Sequence, residues 1–152
     1  MLDLKQVDSR TITQAQTPLT LESILMCEPA LIGALFKKLL ESTLFPFPAL
    51  RGPLNAPSKL GVYVIYGPGE KVLHVGSTPK AKNGIAQRLR DHMGSNSSFA
   101  KLHLEDGDGS VLRGSHHYRC LVVDNARHRA LLEAYAIGHL CPEHIGSGKD
   151  AS

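Results

Sequence analysis

The chain has 152 residues, 42% of them apolar and 20% charged, which suffices for one hydrophobic core but not for two full domains. Its three widely spaced cysteines do not form the framework of a disulfide-rich secreted domain, and no apolar run is long enough to span a membrane. With a net charge of +3 and no signal-peptide pattern, the composition predicts a soluble cytoplasmic protein with one globular domain and a short extension.

Residues 1–59 are predicted to form a helical arm and a proline-rich linker. Thr20 is a plausible N-cap, and the apolar-rich stretch from Thr20 to Ser42 is broken near Glu28 and Pro29, so we predict two helices. Residues 44–60 contain four prolines and are predicted to be an extended strap. The arm could extend a DNA contact or form a homodimer, but packing on the core is expected, since its second helix has an apolar stripe opposite Lys37 and Lys38. The stripe consists of Leu31, Leu35, Phe36, Leu39 and Leu40.

Residues 60–152 are predicted to form an α+β domain with a small three-stranded antiparallel sheet flanked by helices. Alternating residues 62–66 and 72–75 on either side of Gly67-Pro68-Gly69 predict a β-hairpin. Apolar residues at helical spacing predict a helix from Ile85 to Met93, and a second short helix is expected over residues 97–104. The last two elements are a strand over residues 117–124 and a helix from Ala126 to Leu140.

Glu133 is unusual because it is the only acidic residue in the last predicted helix. Ala130, Ile137 and Leu140 occur three residues before it and four and seven after it, which places the carboxylate in the apolar stripe. A buried carboxylate is costly unless a positive charge compensates it. The compensating group is either a metal ion or a buried arginine, and the helix alone does not distinguish them.

Two positions on the helix from Ile85 to Met93 are candidates for phosphate chemistry. Arg88 and His92 lie four residues apart, so they share a face beside the apolar stripe. An arginine suits a phosphate because its planar guanidinium gives paired donors and a permanent charge. A surface arginine and a histidine at the C-terminal turn are the simpler interpretation of these two residues taken alone.

The hairpin contributes Tyr63 on its first strand and His74 on its second. Gly76 follows His74 closely, and a glycine within a strand allows a ligand or another part of the chain to approach. Taken singly, each of these residues is more typical of a structural role than of catalysis.

These residues together resemble the motifs of the GIY-YIG nuclease superfamily. The similar elements are Gly61-Val62-Tyr63, then His74-Val75-Gly76, then Arg88 with His92, and finally Glu133, in the family's order and on the family's element types. The resemblance covers about residues 60–145 and leaves the first 59 residues unexplained.

Two positions depart from the family's pattern. His74 stands where the second motif usually begins with tyrosine, and His144 stands where the family has an asparagine after its last helix. Both histidines retain hydrogen-bonding ability, so the changes are either tolerated or they mark a site that no longer cuts.

The resemblance implies a DNA endonuclease that depends on Mg²⁺ or Mn²⁺, with Glu133 as the metal ligand. Arg88 would bind the phosphate oxygens and Tyr63 would act as the base or orient water, while His74 would help to relay the proton. His92 and His144 would position water or phosphate. A tyrosine with a pKa near 10 is a poor base at neutral pH, so a nearby positive charge from the metal, Arg88 or Lys71 would be needed.

The distribution of charge is compatible with a nucleic acid as the partner. Residues 1–50 have four Lys/Arg against five Asp/Glu, residues 51–152 have thirteen against nine, and residues 71–90 contain five basic and no acidic residues. Such a segment suits double-stranded or branched DNA, although on charge alone a solvated surface is the simpler interpretation. The residues expected to bind nucleic acid are Lys71, Lys80, Lys82, Arg90, Asn96 and His144.

Two other functions remain open at this point. One is a nucleic-acid-binding or protein-interaction module on the same fold, whose hydrolytic site has decayed. The other is a basic α+β domain unrelated to nucleases, which leaves the order of Tyr63, His74, Arg88 and Glu133 unexplained. Metal binding by Glu133 separates the first of these from an active nuclease.

Overall fold

The computed structural model describes residues 27–78 and 82–146, and these form a mixed α+β structure. The helix predicted to begin at Thr20 and the candidate Lys80 lie outside the described residues. In chain order, the elements are α1 (Glu28–Glu41), β1 (Phe45–Pro46), β2 (Gly61–Tyr66), β3 (Val72–Ser77), α2 (Gly84–Met93), α3 (Ser98–His103), β4 (His117–Val122) and α4 (Ala126–Leu140). Within these residues, no helix has both the length and the apolarity that crossing a membrane requires.

The sheet has four antiparallel strands in the order β1-β4-β2-β3. The prediction of three strands is therefore wrong by one. The additional strand, β1, lies within the proline-rich segment, where Phe45 pairs with Tyr118 and Pro46 with His117. Only two residues of this segment pair, and a proline is tolerated there because an edge strand leaves one side of its backbone without a partner.

Strand β2 is the centre of the fold because it pairs on both sides and all six of its residues are buried. Side chains alternate between the two faces of a strand. Tyr63 and Ile65 therefore join one hydrophobic core, under α2 and α3, while Val62, Val64 and Tyr66 join a second core, under α1 and α4. The alternation predicted for this strand is confirmed.

Helix α1 packs against α4 through its apolar stripe. Leu39 is fully buried in the second core, and the Phe36 ring lies edge-on to that of Tyr135, with ring centroids 5.2 Å apart. Arg119 of β4 donates hydrogen bonds to the carbonyl oxygens of Leu40 and Ser42 at the C-terminal end of α1. A cation is favourable there because the last carbonyl groups of a helix have no partner within the helix.

Candidate active site

Tyr63 is the centre of the candidate site. Its side chain is fully buried, and its hydroxyl lies 2.7 Å from Nε2 of His92 on α2. Gly76 is the residue opposite Tyr63 on β3, and a methyl group there would overlap the Tyr63 hydroxyl. Gly76 of the second motif therefore leaves space for the Tyr63 side chain of the first motif. The glycine was expected to allow a ligand or another part of the chain to approach, and the group that approaches is the side chain of Tyr63.

A short hydrogen-bonded chain continues from Tyr63 into α3. Nδ1 of His92 lies 2.6 Å from the hydroxyl oxygen of Ser97, which also accepts a hydrogen bond from the backbone N–H of Ala100. Ser97 is the N-cap of α3, so a helix terminus fixes this end of the chain. If His92 donates to Ser97, then its Nε2 accepts from the Tyr63 hydroxyl; the other tautomer reverses both bonds.

His74 lies beside Tyr63 in a cluster of aromatic and imidazole rings. Its ring stacks on Phe99 with centroids 4.9 Å apart, and it lies edge-on to the ring of His92 with centroids 5.3 Å apart. The C-terminal segment reaches the same place, since His144 forms an isolated parallel bridge with His74, and the two rings are 5.3 Å apart. His103 of α3 adds a fourth imidazole, 5.9 Å from the ring of His144.

Glu133 approaches the cluster from α4, but not from within the buried stripe that was predicted. The buried residues of that helix are Arg129, Leu132 and Ala136, whereas Ala130 is exposed and Glu133 is half-buried at the margin. The prediction was wrong because α4 has apolar residues on several faces, so their spacing alone did not identify the buried one. The Ser77 hydroxyl donates a hydrogen bond to Oε2 of Glu133.

Arg88 is the accessible cation of the group. Its side chain is 38% exposed, and Nη1 lies 3.8 Å from the carboxylate of Asp91, while no hydrogen-bond partner for its buried Nε is found in the described part of the chain. Arg88 and His92 are one helical turn apart on α2, so the arginine lies above the buried histidine on the same side of the helix. A phosphate could therefore bind Arg88 without displacing a strong ion pair.

The charges of Arg88 and Glu133 both influence the pKa of Tyr63. Burial raises the pKa of Tyr63 well above its ordinary value, the charge of Arg88 lowers it, and the charges of Glu133 and Asp91 raise it further. Burial also lowers the pKa of His74 to about 4 and holds that of His92 well below its usual range. At neutral pH Tyr63 is therefore protonated, and the imidazoles of His74 and His92 are neutral.

The residues predicted to bind nucleic acid that the structure describes come from several parts of the fold. Lys71 forms an ion pair with Glu143, which also lies 3.2 Å from Nε2 of His103, so Lys71 has an acidic partner of its own. Lys71 is not among the groups that shift the pKa of Tyr63. Its suggested role, as a positive charge that helps Tyr63 to act as a base, is therefore not supported. The others are Lys82, Arg90 and Asn96, all exposed near the two ends of α2, and the half-buried His144.

Sequence reasoning missed the residues that hold the site together. Ser77 follows His74-Val75-Gly76 directly, and Ser97 is the first residue of the short helix predicted over residues 97–104, yet each hydroxyl contacts a candidate residue. Phe99 forms the platform on which His74 stacks. Ser97 carried one usable signal, since a serine before a short apolar helix is a typical N-cap; the other contacts depend on the tertiary fold.

Of the predicted site residues, Glu133 is the only one expected to bind a divalent metal ion. Among the residues that the structure describes, no group of three or more His, Cys, Asp or Glu side chains is arranged to hold a metal ion. Mg²⁺ usually retains several waters and is held by one or two carboxylates together with substrate phosphates. Glu133 fits that mode, because only Oε2 of its half-buried carboxylate is engaged in the hydrogen bonds found in the described residues.

Comparison with known proteins adds no family assignment. No protein-family model matches the chain, and no curated protein matches it.

Proposed function

We propose that this protein is a divalent-metal-dependent DNA endonuclease of the GIY-YIG type, which hydrolyses phosphodiester bonds. The observation that carries the proposal is the convergence on one buried phenol of residues from four elements: β2, β3, α2 and α4. These residues are Tyr63, His74, Arg88, His92 and Glu133. They are separated by up to 70 positions in the chain, and each is of a type that phosphoryl transfer uses.

In this proposal Arg88 binds the non-bridging oxygens of the phosphate, because it is the accessible permanent cation of the group. Mg²⁺ or Mn²⁺ bound to Glu133 would neutralise the charge that develops on the phosphate and on the leaving oxygen. Ser77 holds one carboxylate oxygen of Glu133 and so fixes the direction of the other.

The raised pKa of Tyr63 favours a role in orienting water over a role as the base. A proton lost by the attacking water needs an unprotonated acceptor, and the imidazole of His74 is unprotonated above a pH of about 4; the same lowered pKa makes it a weaker base than an ordinary histidine. The 2.7 Å hydrogen bond between Nε2 of His92 and the Tyr63 hydroxyl holds that hydroxyl in place. The histidine of the second motif would thus supply an unprotonated acceptor, which the protonated, buried phenol of Tyr63 does not.

A second candidate function is a DNA-binding module on the same scaffold with no hydrolytic activity. The observation that favours it is the burial of the reacting groups, since Tyr63 is 0% and His92 1% exposed. A nuclease with this site must bring water to a fully buried hydroxyl, whereas a binding module needs no such access.

Plasmid cleavage at low salt separates the two candidates. Wild type would be incubated with Mg²⁺, Mn²⁺ or EDTA beside Glu133→Gln, which preserves the shape and a hydrogen-bonding oxygen but removes the charge. Glu41→Gln is a matched control, because Glu41 is an exposed acid on α1. We expect metal-dependent nicking by wild type and the control, and its loss in Glu133→Gln and in Arg88→Ala. DNA binding without cleavage under any metal would support the module instead.

A further inference from the structure

A cavity of about 400 Å³ opens beside the C-terminal part of α2, and its lining includes none of the candidate active-site residues. Three arginines from three segments line it: Arg51 from the proline-rich strap, Arg90 from α2 and Arg113 from the loop before β4. Leu54 and Met93 are the larger apolar residues of its wall. The cavity is thus strongly basic with an apolar part.

Among the residues that the structure describes, no acidic side chain lines this cavity. None of the three arginines forms an ion pair within the described residues, whereas Arg88, Arg127 and Lys71 each do. Three like charges around one opening repel each other, and a bound anion relieves that repulsion. The lining therefore suits an anionic ligand.

Arg113 is held in place for such a ligand. Its Nη1 donates hydrogen bonds to the carbonyl oxygens of Pro48 and Leu50, both at 3.3 Å. The hydrogen bonds found for it in the described part of the chain use only Nη1, which leaves the donors on Nε and Nη2 for a ligand. These bonds also tie the strap that carries Arg51 to the loop that carries Arg113.

We propose that this cavity is a second phosphate subsite, which binds a backbone phosphate of the nucleic acid other than the one that is cleaved. The proposal rests on the proposed function for the identity of the polyanion. Arg88 and Arg90 are two positions apart on α2 and so point to roughly opposite sides of the helix, about 200° apart. One phosphate cannot contact both, and Leu54 and Met93 give the adjoining sugar an apolar surface that a free inorganic anion would not use.

The test is DNA binding in EDTA, which separates binding from cleavage. Arg51→Gln/Arg90→Gln would be compared with Lys37→Gln/Lys38→Gln, which removes the same charge from exposed residues of α1. The probe is a short fluorescent duplex of mixed sequence, titrated at several salt concentrations. Loss of one phosphate contact should reduce the slope of log K against log salt by about 1 and weaken binding about eightfold at ~0.1 M salt. The lysine variant should retain the wild-type slope.

Arg113→Gln provides an independent variant, with a thermal melt to show that the strap remains folded. It should weaken duplex binding in the same way as the Arg51/Arg90 pair. Equal losses in the arginine and lysine pairs, no loss in either, or no duplex binding by wild type would overturn the subsite. Tight binding of deoxyadenosine monophosphate by wild type, with an unchanged duplex slope in the arginine pair, would overturn it in favour of a free nucleotide.

The two proposals fail in different ways. Wild type that binds the duplex through this cavity but never cleaves plasmid would refute the nuclease and keep the subsite. Cleavage that depends on Glu133, with duplex binding indifferent to Arg51 and Arg90, would refute the subsite and keep the nuclease.

Discussion

Replacing Gly76 by alanine should destabilise the protein because the new methyl group has no space. An ideal Cβ at Gly76 would overlap the Tyr63 hydroxyl and ring carbon and would lie 3.0 Å from Nε2 of His74. Tyr63 cannot move away easily, since it is fully buried and its hydroxyl is bonded to His92 at 2.7 Å. Overpacking of this kind costs about 1–3 kcal/mol. For a chain of this size, ~2 kcal/mol corresponds to a fall in Tm of roughly 4–8 °C.

Gly138→Ala is the matched control for Gly76→Ala. Gly138 lies within α4, and apart from its chain neighbours and the backbone of the helix itself, no heavy atom of the described residues lies within 4 Å of the position that its Cβ would take. Alanine is favoured over glycine in a helix, so this variant should be about 0.5–1 kcal/mol more stable than wild type. Urea unfolding followed by circular dichroism would measure both changes. If the two variants shift in the same direction, or if Gly76→Ala is as stable as wild type, the packing of Tyr63 against Gly76 is wrong.

Three further predictions concern pH, the end of α1 and the buried phenol. The pKa of His74 is about 4 in the folded protein and 6.5 ordinarily, so as the pH falls the unfolded chain binds a proton before the folded one does. The free energy of unfolding should therefore fall by about 3 kcal/mol between pH 6.5 and pH 4. Chemical unfolding across that range would show the loss, and His74→Phe should reduce it. Arg119→Ala should lose about 1.5–3 kcal/mol by removing hydrogen bonds from a charged donor, whereas Arg127→Ala, which breaks an exposed ion pair, should lose at most about 1 kcal/mol in the same assay. Tyr63→Phe should cost about 1–3 kcal/mol because it leaves Nε2 of His92 buried without a partner, and an unchanged unfolding midpoint would contradict the bond between them.

The hairpin and most helices were predictable because their patterns are local. The alternation around Val64 and the spacing of Ile85, Leu89 and Met93 depend only on neighbours in the sequence, and the structure has both elements. Strand β1 was not predictable in the same way. It consists of Phe45 and a proline, and it exists only because β4 offers an unpaired edge.

In the candidate site, too, sequence patterns predicted the positions of some side chains and not of others. Local spacing correctly grouped Arg88 and His92 on one helix, but it assigned Glu133 to the wrong stripe of α4. The residue that is buried instead is Arg129, whose guanidinium donates to the carbonyl oxygens of residues 123 and 124, just before the helix begins. A charged residue in the core contradicts hydropathy, and only its backbone partners, which the fold supplies, make that burial possible.

The segment after α4 has a consequence for the behaviour of the protein in concentrated solution. The backbone N–H groups of Glu143 and His144 donate to the carbonyl oxygens of Val72 and Leu73, so this segment covers part of the outer edge of β3. At the opposite edge, Pro46 ends a strand of two residues and offers no N–H group to a neighbour. Exposed sheet edges are where chains pair with one another and aggregate. The segment that brings His144 beside His74 therefore also shields the sheet from self-association, and changes that release it should cost solubility as well as the site.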